Sequence, residues 1–208
     1  MAEKDKTKTV GRDVTVEEIM PEILSDLPYY RRSGGGITLS GGEMLCQPEF
    51  AKALLIASKE AGLHTAVEST AFAKFETIRE LLPYIDLFLM DIKHMDTEKH
   101  KEYTGAKNEL ILENARKISE YGTKLIIRTP VVPTFNDTAD EIYAISSFAR
   151  SIGAAEHHLL PYHRLGQDKY HSLGRSYSLK DIEPPSKEKM EYLLSVAERS
   201  GLKCQIGG

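Results

Sequence analysis

The feature that most constrains this chain is an alternation. Short runs of β-forming residues are separated by helical patterns, repeatedly and in the same order. Five such runs are Gly36–Ser40 (GITLS), His64–Ser69 (HTAVES), Leu87–Ile92 (LFLMDI), Leu125–Val132 (LIIRTPVV) and His157–Pro161 (HHLLP); Leu202–Ile206 offers a last, shorter one. Between them, Pro48–Ala61, Phe75–Leu82, Glu109–Tyr121 and Ala139–Ile152 place apolar residues three and four apart, the period of a helix buried along one face. Thr15-Val-Glu-Glu18 is a capping box that predicts a helix over Thr15–Leu27, and Lys187–Ser200 predicts a closing helix with Met190, Leu193, Leu194 and Ala197 inward. Strands that alternate with helices predict an α/β fold, a parallel sheet with outer helices. The strands are apolar enough for burial on both faces. Periodicity alone leaves a barrel and an open sheet both standing.

The remaining bounds are broad. At 208 residues, 41% hydrophobic and 28% charged, the chain suits one domain over 15–208, with 1–14 as a tail or remnant of an upstream segment. A net charge of −4 and no basic face argue against nucleic acid as a partner. No apolar run approaches the ~18 residues of a membrane span. The polar start lacks the apolar core of a signal peptide, and two cysteines without CxxC spacing make no disulfide framework. A cytoplasmic protein is the expectation. The long polar stretch Tyr162–Pro185 reads as a functional loop.

Ligands of βα folds sit at the carboxyl ends of the strands, and every strand end here is polar. The first ends in Ser40-Gly41-Gly42-Glu43, the second in Glu68-Ser69-Thr70; the third carries Asp91 and Lys93, the fourth Arg128, and the fifth leads to Tyr162 and His163. If the strands are parallel, these groups meet on one rim. Each also has a plainer reading. Gly41-Gly42 makes a tight turn; Glu68 and Asp91 are either solvated acids, partners of Lys93 and Arg128, or oxygen ligands of a hard cation. His157 and His158 are adjacent on a strand and face opposite ways, so both cannot serve one site. Cys46, beside the turn, is expected to pack inward.

In this order, YYRRSGGGITLSGGE, LFLMDIKHMD, HKEYTG, IIRTPVVPTFND and LLPYHRLGQDKY resemble the radical-SAM activating enzymes of glycyl radical enzymes, the group that includes pyruvate formate-lyase activating enzyme. The resemblance runs from about Thr15 to the C-terminus. It implies a partial (β/α)6 TIM-type barrel. It implies that Gly41, Gly42 and Glu43 meet the methionine amino group of S-adenosylmethionine, and that Ser69, Lys93, Arg128 and His163 lie on the cofactor and substrate side. Glu68 and Asp91 fall where the family holds a monovalent cation, although the pyruvate formate-lyase activator has Asp in place of Glu68. The intact family reduces a [4Fe–4S] cluster with an electron donor such as flavodoxin or ferredoxin. It then cleaves S-adenosylmethionine and abstracts hydrogen from a partner's glycine.

One departure stands out. The family's cluster is held by a CxxxCxxC loop after a first strand, and this sequence has only Cys46 and Cys204. The expectation is therefore an N-terminally truncated core, lacking that first strand, holding no cluster and inactive alone. The alternatives are a degenerate module that grips S-adenosylmethionine or docks on a partner, and a metal-dependent βα lyase or hydrolase using Glu68, Asp91 and His163.

Overall fold

The computed structural model describes residues 11–164, 174, 177 and 179–208. Half of the Tyr162–Pro185 loop, and residues 1–10 of the expected tail, lie outside the described residues. Two helices come first, α1 (Val16–Ser25) and α2 (Leu27–Ser33), followed by β1 (Gly36–Leu39) and α3 (Pro48–Glu60). Then come β2 (His64–Ser69), α4 (Phe75–Leu81), β3 (Leu87–Asp91), α5 (Thr97–Thr104) and α6 (Glu109–Tyr121). The series ends with β4 (Lys124–Val131), α7 (Ala139–Ser151), β5 (Glu156–Pro161), α8 (Lys187–Glu198) and β6 (Cys204–Ile206).

All six strands are parallel, and each pairs with the next in sequence. This order settles what periodicity left open. A doubly wound sheet reverses its strand order at a switch point. Here the order never reverses, so right-handed crossovers carry the helices to one side and the sheet curls. No pairing joins β6 to β1, which leaves the α/β radical-SAM-type barrel partial.

Side-chain alternation then divides the sheet into two faces. Val67, Phe88, Met90, Leu125 and Ile127 share one buried cluster with Leu55, Ile78, Ala115 and Ile118 of the helices. Residues between them in the strands point to the other face, and that set includes Glu68, Asp91 and Arg128. The pairing aligns Asp91 with Arg128 and Glu68 with Leu89, so the charged groups come into line across three strands. His157 and His158 do diverge: His157 is fully buried between Thr129 and Ser146, while His158 pairs with Glu156.

Two boundaries differ from the sequence reading. The first helix keeps its capping box, with Thr15 N–H donating to Glu18 at 2.8 Å, but it stops at Ser25. A second helix restarts at Leu27 because Pro28 suits a first turn, where no N–H is needed. Helix α5 was not foreseen. It has no apolar face; Asp96 caps it by accepting from Lys99 N–H at 2.8 Å, and Gly105 ends it in the left-handed region.

Gly36 is fixed by proximity. A Cβ there would overlap the main chain of His64, its partner on β2. Gly36→Ala should therefore push β1 off the sheet and cost about 3 kcal/mol, the upper range for overpacking. Urea unfolding of both proteins checks this; an unchanged midpoint would mean β1 does not pair at this spacing.

Candidate functional site

The carboxyl ends of β1 to β4 enclose a hollow of about 220 Å³, lined by Ser40, Gly41, Gly42, Glu43, Glu68, Ser69, Thr70, Asp91, Lys93 and Arg128. Eight of the nine residues expected at the site line it. His163 does not; it is exposed and follows β5. A second hollow of about 380 Å³ shares Ser40, Gly42 and Glu43 and extends towards Arg12–Val14 and α3. The Gly41–Glu43 turn is thus the wall between two open spaces.

The turn is shaped by its residues. Gly41 has φ +124°, where a side chain is strained. Gly42 has no such angle, and a Cβ there would meet no protein atom within 4 Å. The strain lies at Gly41, and Gly42 contributes bare main chain to the open space. Glu43 Oε1 accepts from Leu45 N–H at 3.1 Å and Ser69 Oγ–H at 2.7 Å; Oε2 accepts from Thr70 N–H at 3.3 Å and Oγ–H at 3.1 Å. Four protein donors fill the carboxylate. Its geometric task is to fasten the β1 turn to the end of β2, and its charge still faces the hollow.

The β2 exit is itself strained. Ala71 takes φ +55°, unusual without glycine, and is fully buried. Asn114 of α6 holds it there, donating from Nδ2 to Ala71 O at 2.7 Å and Ala73 O at 2.9 Å.

Arg128 reaches across two strands. Its Nη1 donates to Glu68 Oε1 at 2.6 Å, and Nη2 and Nε reach Asp91 Oδ1 at 3.2 and 3.3 Å. Ser40 Oγ donates to Glu68 Oε2 at 2.6 Å, and Lys93 Nζ stands 3.3 Å from Asp91 Oδ2. Of the readings open for Glu68 and Asp91, ion pairing with the two bases is the one this geometry contains. A cation bound at those acids would have to share both carboxylates with the guanidinium. Among the described residues no group of three or more His, Cys, Asp or Glu side chains is placed to hold a metal.

Burial pushes the Glu68 carboxyl up, but hydrogen bonds from Ser40 and Arg128, with the Arg128 charge, outweigh it and hold it below the usual range. Sequence reasoning placed Ser40 and Thr70 at strand ends without giving them roles. It missed Asn114, although a polar residue amid the apolar spacing of Ile111, Ala115 and Ile118 was a visible signal. Cys46, expected to pack inward, is exposed, because its three-residue helical turn Met44–Cys46 buries Met44 instead.

A sequentially wound parallel barrel with a polar hollow at its carboxyl rim is the layout of a cofactor- or substrate-binding enzyme domain. The chain belongs to the radical SAM superfamily, whose description matches residues 2–145. It is 38% identical over 209 residues to the (2S)-3-sulfopropanediol dehydratase activating enzyme of Klebsiella oxytoca, covering 98% of this chain and 66% of that protein. It is 40% identical over 202 residues to the 4-hydroxyphenylacetate decarboxylase activating enzyme of Clostridioides difficile strain CD196, covering 96% of this chain and 64% of that one. A crystal structure of a domain of pyruvate-formate lyase-activating enzyme from Bacteroides vulgatus superposes with TM-score 0.70 and 32% identity, over 84% of this chain and 99% of that domain. These relatives are glycyl radical enzyme activating enzymes, the group the sequence resembled. The chain spans just under two thirds of the length of the first two. No helix among the described residues is long and apolar enough to cross a membrane.

The pairing of Glu68 makes a pH prediction. Its carboxyl is held low in the folded state, so the pairing stabilises the fold above the ordinary glutamate pKa of about 4.3 and is lost as pH falls through the lowered value. Glu68→Gln should melt below the wild type at neutral pH, with the gap closing as pH falls below about 4. Melting curves across pH 3–7 check this; a gap that persists at the acid end would assign the loss to packing.

Proposed function

We propose that this chain is the S-adenosylmethionine-cradling core of a glycyl radical enzyme activating enzyme. The observation that carries the reading is the composition of the rim hollow. Three carboxylates (Glu43, Glu68, Asp91) and two cations (Lys93, Arg128) line it, an excess of one negative charge. S-adenosylmethionine carries an ammonium, a sulfonium and a carboxylate, a net charge of +1, so the two complement each other. The bare main chain of Gly42 admits the amino acid end, Lys93 and Arg128 supply partners for its carboxylate, and Glu43, Glu68 and Asp91 supply the field for its cations. When bound, this cofactor supplies the hydrogen-abstracting chemistry of the family, after reduction by an iron–sulfur cluster.

The residues present do not fit that cluster. The family holds it through three cysteine thiolates, and this sequence has two cysteines. Burial pushes the Cys204 thiol up to about 11, further from the thiolate a ligand needs. We therefore assign this chain the cradle and not the reduction step. A glycyl radical enzyme as partner, flavodoxin or ferredoxin as electron donor and a cytoplasmic setting belong to this reading as properties of the whole enzyme.

Two results are expected. Calorimetry should find weak S-adenosylmethionine binding, about millimolar or near 4 kcal/mol, because the metal chelate is missing. Gly42→Val should abolish it while leaving the unfolding midpoint unchanged, since the new side chain meets only the open space. Equal binding by both folded proteins would remove the turn from the cradle. Separately, anaerobic incubation with iron and sulfide should yield no four-iron stoichiometry; four irons per chain with a cluster EPR signal would overturn the assignment.

A further inference from the structure

The chain contains three asparagines, Asn108, Asn114 and Asn136. All three are buried, at 1%, 0% and 0% exposure. Each donates its amide to two main-chain carbonyls, and each pair of carbonyls includes a loop at the carboxyl rim. Asn114 holds Ala71 and Ala73 beyond β2. Asn108 Nδ2 lies 2.8 Å from His94 O and 2.8 Å from Met95 O. Asn136 Nδ2 lies 2.7 Å from Lys93 O and 2.9 Å from Pro130 O, and its Oδ1 accepts from Val132 N–H at 2.7 Å.

Two of the three converge on the four residues Lys93–Asp96, just beyond β3. Lys93 O is taken by Asn136, and His94 O and Met95 O by Asn108. Glu141 Oε1 accepts from Met95 N–H at 2.5 Å, and His94 Nδ1 accepts from Asp96 N–H at 2.9 Å. Every residue from Lys93 to Asp96 is fixed through its main chain by a buried polar side chain. A surface loop usually leaves such groups to water. Here burial pushes the Glu141 carboxyl up, so the arrangement includes an acid desolvated at a cost.

Of those four residues only Lys93 lines the rim hollow. It also lines the adjoining hollow of about 170 Å³ with Thr70, Phe72 and His100, so it stands between the two. Its ammonium has one long ion pair, to Asp91, at the end of four rotatable bonds. Those bonds sweep the ammonium about a fixed Cα, so holding the main chain sets which part of the two hollows it can reach.

We propose that Asn136, with Asn108 beside it, is a positioning residue that aims Lys93 at the ligand in the rim hollow. The inference rests on the reading of that hollow as an S-adenosylmethionine cradle, and the test separates the two. Calorimetry with S-adenosylmethionine on the full chain is run for wild type, Asn136→Ala, Lys93→Met and the double variant. If Asn136 acts through Lys93, Asn136→Ala weakens binding about tenfold in the wild type and adds nothing once Lys93 is methionine. Independent, multiplying losses would overturn the proposal and leave Asn136 a general fold contact.

Should Asn136→Ala not fold, Asn136→Ser or Asn108→Ala takes its place in the same cycle. Should the wild type bind no S-adenosylmethionine, the cradle reading fails and a second measurement decides the positioning role. Lysines are dimethylated with ¹³C, and the Lys93 signal is identified by its loss in Lys93→Arg. Displacement of that signal in the asparagine variant, with the Lys52 and Lys59 signals unmoved, supports positioning. An unmoved Lys93 signal overturns it.

Discussion

A guanidinium shared between carboxylates of two other strands is what allows this rim to exist. Glu43, Glu68 and Asp91 stand at the ends of consecutive strand segments, and neighbouring strands are only about 4.8 Å apart. Three acids that close would repel one another and raise one another's pKa values. Arg128, on β4, crosses β3 to reach β2 and ties Glu68 and Asp91 together with its side chain only 16% exposed. Glu43 is accommodated differently, by four uncharged donors. The result is a hollow rich in acids that stays net negative by a single charge.

That arrangement depends on parallel register more than on any local sequence. Asp91 and Arg128 are direct partners across β3 and β4. A slip of one residue in either strand would turn one of them to the helix-covered face. The apolar residues that alternate with them prevent this. Phe88, Met90, Leu125 and Ile127 must stay under the helices, so the intervening polar residues are held on the other face. The core packing therefore aims the site.

This explains which parts were legible in the sequence. The strands were readable because runs of β-forming residues alternate with helical patterns, and the polar residues at their carboxyl ends marked the rim. Glu68, Asp91 and Arg128 were found in that way. Their pairing was one of three readings the sequence left open, since Arg128 and Glu68 are 60 residues apart and their contact is a property of the assembled sheet. Helix α5 was missed because its stability comes from Asp96 and Gly105 at its ends and not from a periodic face. His163 was expected at the site from its place after the fifth strand and from the resemblance, and it lies outside the lining of the hollow.

The distribution of strain points the same way as the distribution of buried amides. Among the described residues, only Ala71 and Thr134 hold positive φ without being glycine, at +55° and +70°. One follows β2 and the other follows β4, both at the carboxyl rim. Such conformations cost about 1–2 kcal/mol each in an L-residue. Asn114 holds the first; Asp137, accepting from Thr134 N–H at 2.9 Å, and Tyr103, donating to Thr134 O at 3.3 Å, hold the second. Tyr103 in turn stacks on Phe135 at 4.1 Å, next to the Asn136 that grips Lys93. A fold selected only for stability would place glycine at these two positions and leave the loops to water. Strain and buried polar groups together at one end of the sheet are the pattern of a rim whose atoms must be held in place.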